Sequence, residues 1–243
     1  MNENGFPRSE NRRPSEKRKI EIHTKYLDCN PNSVLITIGK TKVLCAATTG
    51  NWMPPHVRMT GRGWIGAQYS MLPNSSVNRI QRERTNVKGR TKEIERLIGR
   101  SLRSVCELKN IPEESIIVDC DVIQADGGTR TASVTGGFIA LYLLIKQLTE
   151  KKKIYKSPIT DFMAAISVGV VHGSILLDLD SAEDQAAQVD MNLVMTDSGR
   201  ISEAQATGEE ATFTKEQYDE MYISGTAGIR ELIVEQKKAL NII

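Results

Sequence analysis

The sequence predicts an α+β fold: a single domain built from two similar layers. Between about residues 20 and 150, and again between about 160 and 243, the apolar pattern gives strands followed by a helix. Of the 243 residues, 40% are apolar, which is enough to bury a sizeable core. No strong repeat at a fixed period relates the two stretches, so we predict one domain over residues 20–243.

Residues 1–19 differ in composition from the rest of the chain. They are rich in Lys, Arg, Asn, Ser and Pro and contain almost no apolar side chains. Such a segment has little apolar surface to bury against a core. We therefore interpret residues 1–19 as a flexible basic N-terminal arm that is solvated, or that docks only in an assembly.

Alternating apolar residues and turn signals predict the strands. A short strand covers residues 20–22, and another lies near residues 64–70 within a long irregular region rich in Gly, Pro and Asn. Three hairpins are predicted, and their strand pairs are 34–38 with 42–48, 163–171 with 175–179, and 189–196 with 201–207. Residues 115–123 form one more strand, in which Asp119 and Asp121 share a face.

Three helices follow from the spacing of apolar residues. The first covers residues 91–109 and is ended by Pro112, and the second covers residues 131–150. The third is a long C-terminal helix, for which Thr214 and Gln217 offer a capping box.

The stretch from Asp119 to Ser133 predicts an anion site. It runs from a strand into Gly127-Gly128, then through Thr129, Arg130 and Thr131 into a helix. Consecutive glycines let backbone N–H groups point into one concavity, and the helix N-terminus adds partial positive charge there. A guanidinium adds a bidentate fork for phosphate oxygens. The alternative is a tight strand-to-helix turn with an incidental arginine, because the stretch matches neither a P-loop nor a dinucleotide-binding fingerprint.

An acidic stretch over residues 177–192 predicts a cation site. It carries carboxylates at Asp178, Asp180, Glu183, Asp184 and Asp190. Hard oxygen ligands suit Mg²⁺ or Mn²⁺, which need only one or two carboxylates because they keep several waters. The alternative is a solvated acidic loop.

A basic run precedes the first helix and comprises Arg79, Arg82, Arg84, Lys88 and Arg90. It has no apolar stripe of its own, which fits a loop that contacts a nucleic-acid backbone as well as it fits a solvated charge run. Residues 79–103 hold nine basic and three acidic side chains, whereas residues 178–220 hold two basic and twelve acidic ones. The net charge of +2 is therefore unevenly distributed. Residues 79–103 are suited to bind a polyanion, and residues 178–220 are suited to bind cations.

Cysteine usage and hydropathy predict the compartment. The four cysteines form no CxxC pair and suit reduced thiols better than a disulfide or zinc framework. No apolar run approaches a membrane span, and the N-terminus lacks the apolar segment of a signal peptide. We expect a cytoplasmic protein with no membrane partner.

Several motifs together resemble the ribonuclease PH family, the phosphorolytic tRNA 3′-end nucleotidyltransferases, along nearly the whole chain after about residue 20. The motifs are TKVLC (41–45), YSMLP (69–73), GRTKEIERLIGRSLR (89–103), the 119–133 stretch, LDLD (177–180) and EDQAAQVDMN (183–192). None of them is specific alone, whereas jointly they are highly specific.

The resemblance implies a fold and an assembly. The fold is the ribonuclease PH-like one, also described as ribosomal protein S5 domain 2-like, with two similar βαβα halves. The assembly is a ring-shaped homohexamer, a trimer of dimers.

The resemblance also implies residue roles. By position, Arg90, Gly128, Thr129 and Arg130 bind inorganic phosphate, the co-substrate. Asp184 and Asp190 are both catalytic and metal-binding, with Mg²⁺ as the expected ion. Arg79, Arg82, Arg84 and Lys88 meet the acceptor end of the tRNA. Asp119, Asp121 and Asp126 are then expected only to orient the phosphate-binding loop.

The implied activity is a phosphate-dependent 3′-to-5′ exoribonuclease that trims tRNA precursors, releases nucleoside diphosphates and can add nucleotides in reverse. Two other functions stay open at this stage: a non-catalytic RNA-binding ring subunit, and a hydrolytic metal-dependent nuclease. The chain also departs from the family in two places. It has WIGAQY at 64–69 in place of WVTAEY, and EAQATGEE at 203–210 in place of EVQGTAEG.

Overall fold

The computed structural model of the protein describes residues 8–50, 53–83, 87–112, 114–208 and 211–243. The first half of the chain forms β1 (Ile20–Thr24), β2 (Ser33–Ile38), β3 (Thr41–Gly50), β4 (Trp64–Met71), α1 (Gly89–Ser104), β5 (Ser115–Gln124) and α2 (Thr129–Glu150). The second half forms β6 (Met163–Val171), β7 (Ser174–Leu177), α3 (Ser181–Ala186), β8 (Ala187–Thr196), β9 (Ile201–Gly208) and α4 (Lys215–Ala239). The α+β prediction is confirmed.

Each half contributes one sheet. The first sheet has the order β1-β2-β3-β5-β4, and within it only β4 and β5 pair in parallel, joined by a crossover through α1. The second sheet is antiparallel with the order β7-β6-β8-β9. All three predicted hairpins are present. At their turns, Gly39, Gly173 and Gly199 supply the positive φ that the backbone requires there.

Helix α2 is the centre of the molecule. It is buried on nearly all sides and packs against β2, β3 and β5 of the first sheet and β6 of the second. The buried side chain of Gln236 in α4 donates hydrogen bonds to the carbonyls of Thr135 in α2 and Met163 in β6, at 3.0 and 2.9 Å. These bonds hold α2 and α4 in place against β6 of the second sheet.

Among the described residues, α2 is the one helix with the length and apolar composition of a membrane span. From the hydropathy of the sequence, no such segment was expected. The most apolar window of α2 is 78% buried inside the structure, which is the environment of a core helix.

Two helices differ from the predictions. Helix α1 ends at Ser104 instead of residue 109, because the chain turns to pair Cys106 with Ile159 and Glu107 N–H donates to the carbonyl of Pro158. The acidic stretch, predicted as a loop, contains the short helix α3. Its start is stabilised by a capping box between Asp180 and Glu183.

The prediction of a flexible, solvated arm does not hold for residues 8–19. Arg8, Arg12 and Arg18 are buried and form ion pairs with carboxylates of the second half. Burying a guanidinium is costly unless a carboxylate compensates its charge, and the acidic stretch provides these partners. The rest of the predicted arm lies outside the described residues.

Candidate active site

A cavity of about 650 Å³ lies between the two halves of the molecule. The N-terminal ends of α1 and α2 and the strands β4 and β5 line one side, and α3, β6 and β8 line the other. The predicted site residues that line it are Lys88, Arg90, Gly128, Thr129, Arg130, Asp184 and Asp190. The fold therefore brings the predicted phosphate-binding and catalytic residues to one place.

The diglycine turn forms the floor of the phosphate-binding side. Gly127 and Gly128 have φ angles of 75° and 66°, in the left-handed region that favours glycine. A side chain at position 127 is also excluded sterically, because a Cβ built on Gly127 would lie 2.5 Å from the carbonyl oxygen of Leu179. The turn thus packs directly against the backbone that leads into α3.

Gly127→Ala is expected to unfold the protein at a lower temperature and to abolish activity. The left-handed conformation alone costs a side chain ~1–2 kcal/mol, and the clash with Leu179 adds to that cost. Gly199→Ala is the matched control, since Gly199 has a φ of 83° but no atom within 4 Å of its built Cβ. Thermal unfolding and phosphate binding of both variants check this; equal losses of stability would contradict the close approach.

Helix α2 begins immediately after this turn. Gly128 is its N-cap and, having no side chain, leaves the first N–H groups of the helix without a side-chain cap. These groups and the partial positive charge of a 22-residue helix lie at the cavity, where they would favour an anion. Arg130, in the first turn, is half-buried and lines the same cavity. The predicted anion site has the donors that phosphate needs.

Thr129 is oriented by Tyr69 of β4. The phenol oxygen of Tyr69 lies 2.9 Å from the Thr129 hydroxyl oxygen. Burial raises the pKa of Tyr69, so the phenol stays protonated, and either hydroxyl can donate this bond. When Tyr69 donates it, the Thr129 hydroxyl can give its own proton to an anion in the cavity.

Helix α1 brings the second guanidinium. Arg90 is exposed and lies in the first turn of α1, where no acidic side chain is present. Glu83 anchors the preceding segment by accepting hydrogen bonds from the Lys88 N–H and the Thr91 hydroxyl, both at 3.2 Å. Arg90 and Arg130 thus approach the cavity from two separate helices, as a clamp on one anion requires.

The carboxylates lie on the opposite side of the cavity. Asp184 is on the exposed side of α3, and Asp190 is on β8. The Asn192 amide donates to Asp190 at 3.2 Å from two residues further along the same strand face. Asp190 is therefore held at a defined position facing the phosphate-binding side.

Asp119 and Asp121 are not the loop supports that the sequence suggested. Both line the cavity from β5, and burial raises the pKa of each, for Asp119 together with the charge of Asp121. The loop is supported by Thr41, whose hydroxyl donates to the Gly127 carbonyl at 2.7 Å and accepts from the Asp126 N–H at 2.9 Å.

A divalent ion fits this donor set. Asp184 and Asp190 offer hard oxygen ligands, and Mg²⁺ takes one or two carboxylates and completes its shell with water and substrate phosphate. Asp119 and Asp121 line the same cavity and add two further carboxyl groups to it. Within the described ranges, however, no three His, Cys, Asp or Glu side chains are grouped as a complete metal site.

The predicted RNA-contacting residues divide into three cases. Lys88 lines the cavity, whereas Arg79 and Arg82 are exposed outside it. Arg84 lies outside the described residues. Lys88 therefore places a positive charge in the cavity, and Arg79 and Arg82 place theirs on the surface outside it.

Several residues that line the cavity were not predicted as site residues, among them Tyr69, Ser167 and Asn192. Tyr69 is buried in the core, and its hydroxyl contacts Thr129. Asn192 could have been found from the two-residue period of β8, which places it on the face of Asp190.

Comparisons with known proteins agree with this site. The model for domain 1 of the 3′ exoribonuclease family matches residues 16–145, and the model for domain 2 matches residues 161–226. Ribonuclease PH of Bacillus mycoides is 48% identical over 97% of this chain and 98% of its own. Ribonuclease PH of Bacillus pumilus is 51% identical over 95% and 96%. The chain belongs to the ribonuclease PH family.

Solved structures confirm the ribonuclease PH-like fold. Rice Rrp46 superposes with a TM-score of 0.76 at 20% identity, covering 96% of this chain and all of that one. A chain of the Archaeoglobus fulgidus exosome with RNA bound to the active site gives 0.77 at 19% identity, covering 94% and 92%. The first family model ends at residue 145, within α2, and the second begins at residue 161, just before β6.

Proposed function

We propose that the cavity between the two halves is the active site at which this enzyme cleaves RNA with inorganic phosphate. The enzyme is a ribonuclease PH-type phosphorolytic 3′-to-5′ exoribonuclease that processes tRNA 3′ ends. One observation supports this location: one cavity is lined both by Arg90, Arg130 and the diglycine turn and by Asp184 and Asp190. The anion-binding residues alone, or the carboxylates alone, would also fit other reactions.

In the proposed reaction, phosphate is held by Arg90, Arg130 and the backbone around Gly128 and Thr129. One of its oxygens attacks the phosphorus of the terminal phosphodiester in line, and the bond to the 3′-oxygen of the preceding nucleotide breaks. The products are a nucleoside diphosphate and an RNA shortened by one residue. Because two anions must meet, catalysis depends mainly on positioning and on charge neutralisation.

The carboxylate side of the cavity takes the proposed role at the leaving group. Asp190, oriented by Asn192, protonates the departing 3′-oxygen. Asp184 would hold a divalent ion, which would supply further neutralisation of the scissile oxygens, while the Asp190 carboxyl keeps its proton for the leaving group. The energy of the diester is kept in the diphosphate, so we also propose that the reaction runs in reverse and adds nucleotides.

The product distinguishes the candidate functions. A 3′-extended tRNA is incubated with Mg²⁺, with and without phosphate, and the released mononucleotide is identified. We expect nucleoside diphosphates only when phosphate is present. Nucleoside monophosphates would favour a hydrolytic nuclease, and the absence of any product with intact RNA binding would favour a non-catalytic RNA-binding subunit.

Tyr69→Phe is expected to raise the KM for phosphate about three- to tenfold and to leave the fold intact. The variant removes one hydrogen bond, worth ~1 kcal/mol, while the buried ring remains. Tyr155→Phe is the control, because Tyr155 is 92% exposed. Initial rates at varied phosphate measure the effect, and an unchanged KM would show that the Thr129 hydroxyl does not need this orientation.

We further propose that the chain assembles into a homohexameric ring. Family membership supports this proposal, as do the exosome structures that share the fold. Light scattering after gel filtration tests it, since the ring requires six copies of a 27.0 kDa chain. The RNA partner is the tRNA precursor, and the exposed Arg79 and Arg82 are proposed to contact its backbone.

A cytoplasmic location is also proposed. It is supported by the four cysteines, which are all free thiols in the structure.

A further inference from the structure

The segment from Arg8 to Arg18 connects the start of the chain to both sides of the cavity. Arg8 donates to Glu183 of α3 at 2.7 and 3.1 Å, and Arg12 donates to the same carboxylate at 3.2 and 3.3 Å. Glu183 is 1% exposed and precedes Asp184. The two arginines therefore hold the helix that carries one of the proposed catalytic carboxylates.

Arg18 reaches further, because it contacts both sides of the cavity at once. Its guanidinium forms a fork with Asp178, from Nε at 3.0 Å and from Nη2 at 2.6 Å, and its backbone N–H donates to the same carboxylate at 2.8 Å. The remaining nitrogen, Nη1, donates to the carbonyl of Asp126 at 2.5 Å and lies 3.5 Å from that of Gly127. Arg18 is 2% exposed, so these bonds are shielded from water.

The charge of Arg18 is already neutralised by Asp178. Burial alone would raise the pKa of Asp178, but the charge and hydrogen bonds of Arg18 outweigh this effect and lower it. Both groups are therefore held in their charged forms as a close pair. An anion in the cavity would gain little from the charge of Arg18, so any effect of this residue must come from geometry.

That geometry acts on the diglycine turn. In a planar trans peptide the carbonyl and the next N–H point in opposite directions. Arg18 holds the carbonyl of Asp126, and Thr41 with Arg18 holds that of Gly127, so the N–H directions of Gly127 and Gly128 are fixed. A Cβ on Gly128 would lie 2.9 Å from Nη2 of Arg18, which shows how closely the guanidinium supports the turn.

We propose that Arg18 is a positioning residue for phosphate binding: it sets the backbone of the 126–128 turn by linking it to Asp178 on the other half of the molecule. This inference rests on the proposed phosphate site at Arg130 and the same turn. It gives the N-terminal segment, which sequence analysis treated as an arm, a function in the reaction without any contact between Arg18 and substrate.

Arg18→Lys tests the proposal. The ammonium keeps the charge beside Asp178, but a single nitrogen cannot replace the fork and also reach the Asp126 carbonyl. We expect the KM for phosphate to rise about tenfold, while kcat at saturating phosphate and the KM for RNA stay within about threefold. Arg13→Lys is the matched control, because Arg13 belongs to the same segment but its side chain is 80% exposed.

A purely structural role gives a different result. Arg18→Lys would then melt at a lower temperature with an unchanged KM for phosphate, and this outcome overturns the proposal. If Arg18→Lys does not fold, Arg18→Met combined with Asp178→Asn removes both buried charges together. Asn tolerates the φ of 56° at position 178, and the pair still lacks the bond to the turn. Failure of both variants to fold would likewise assign Arg18 to the fold alone.

Arg130→Ala, measured in parallel, separates this proposal from the proposed function. If the KM for phosphate rises in Arg130→Ala but not in Arg18→Lys, the phosphate site stands and the positioning role of Arg18 is wrong. If neither variant changes it, the phosphate site itself is misplaced, and the proposal about Arg18 is overturned with it.

Discussion

Arg130→Ala is expected to reduce phosphorolysis at low phosphate by about 100-fold or more, because it removes half of the clamp on the attacking anion. The variant should fold normally. Arg130 is at the cavity surface, and within the described part of the chain no carboxylate forms an ion pair with it, so its removal leaves no buried charge unpaired. Initial rates across a range of phosphate concentrations measure the effect, with thermal unfolding as the test of folding.

Arg230→Ala is the matched control for this variant. Arg230 is a helical arginine too, but it is exposed on α4 and does not line the cavity. Wild-type phosphorolysis by Arg130→Ala at low phosphate would show that the anion site has been assigned to the wrong residue.

Asp190→Asn is expected to reduce turnover by about 100- to 10,000-fold, the range for loss of a positioned general acid or base. RNA binding should change little, because the amide has nearly the same shape and can keep a hydrogen bond to Asn192. The measurements are single-turnover cleavage and RNA affinity at one fixed salt concentration, since affinity for a polyanion depends on salt.

Asp28→Asn is the control for the loss of one carboxylate, because Asp28 is exposed and does not line the cavity. Turnover by Asp190→Asn at the wild-type rate in the presence of Mg²⁺ would rule out the proposed role of Asp190.

Much of the fold could be predicted from local sequence. The hairpin turns could be predicted because a glycine, at position 39, 173 or 199, lies between two apolar runs in each case. The positive φ of these glycines is a requirement of the turn itself and does not depend on distant residues. The start of α4 was visible because Thr214 and Gln217 form a capping box within one turn. Turns and helix caps that depend on a few neighbouring residues can therefore be recognised in the sequence without knowledge of the tertiary structure.

Features that depend on distant partners were not predictable. Arg8 and Arg18 are separated by 175 and 160 residues from the carboxylates that pair with them. The polar N-terminal segment, with few apolar residues, therefore gave no local sign that it would be ordered. Helix α1 ends early for the same reason, because Cys106 pairs with the distant Ile159. Helix α3 was missed although its capping box was present, since a short acidic stretch satisfies a loop and a helix equally well.

The candidate site was found from residue chemistry, and its surroundings were not. The order of glycines, hydroxyls and arginine at 127–131 indicated an anion site, and the five carboxylates of residues 177–192 indicated a cation site. Asp184 and Asp190 were singled out from these five only by the family resemblance. Only the fold shows that both predicted sites line one cavity. Asp119 and Asp121 line it as well, which the alternation of β5 left undecided because it shows a shared face without showing what that face meets.

The central claim is that inorganic phosphate is the nucleophile, and isotope transfer tests it most directly. The enzyme is incubated with Mg²⁺, phosphate labelled with ¹⁸O at every oxygen, and an RNA that ends in a run of adenosines, and the released nucleotide is analysed by mass spectrometry. The account predicts ADP that carries all the labelled oxygens of one phosphate, one of them bridging the two phosphorus atoms. Unlabelled AMP as the product would contradict it.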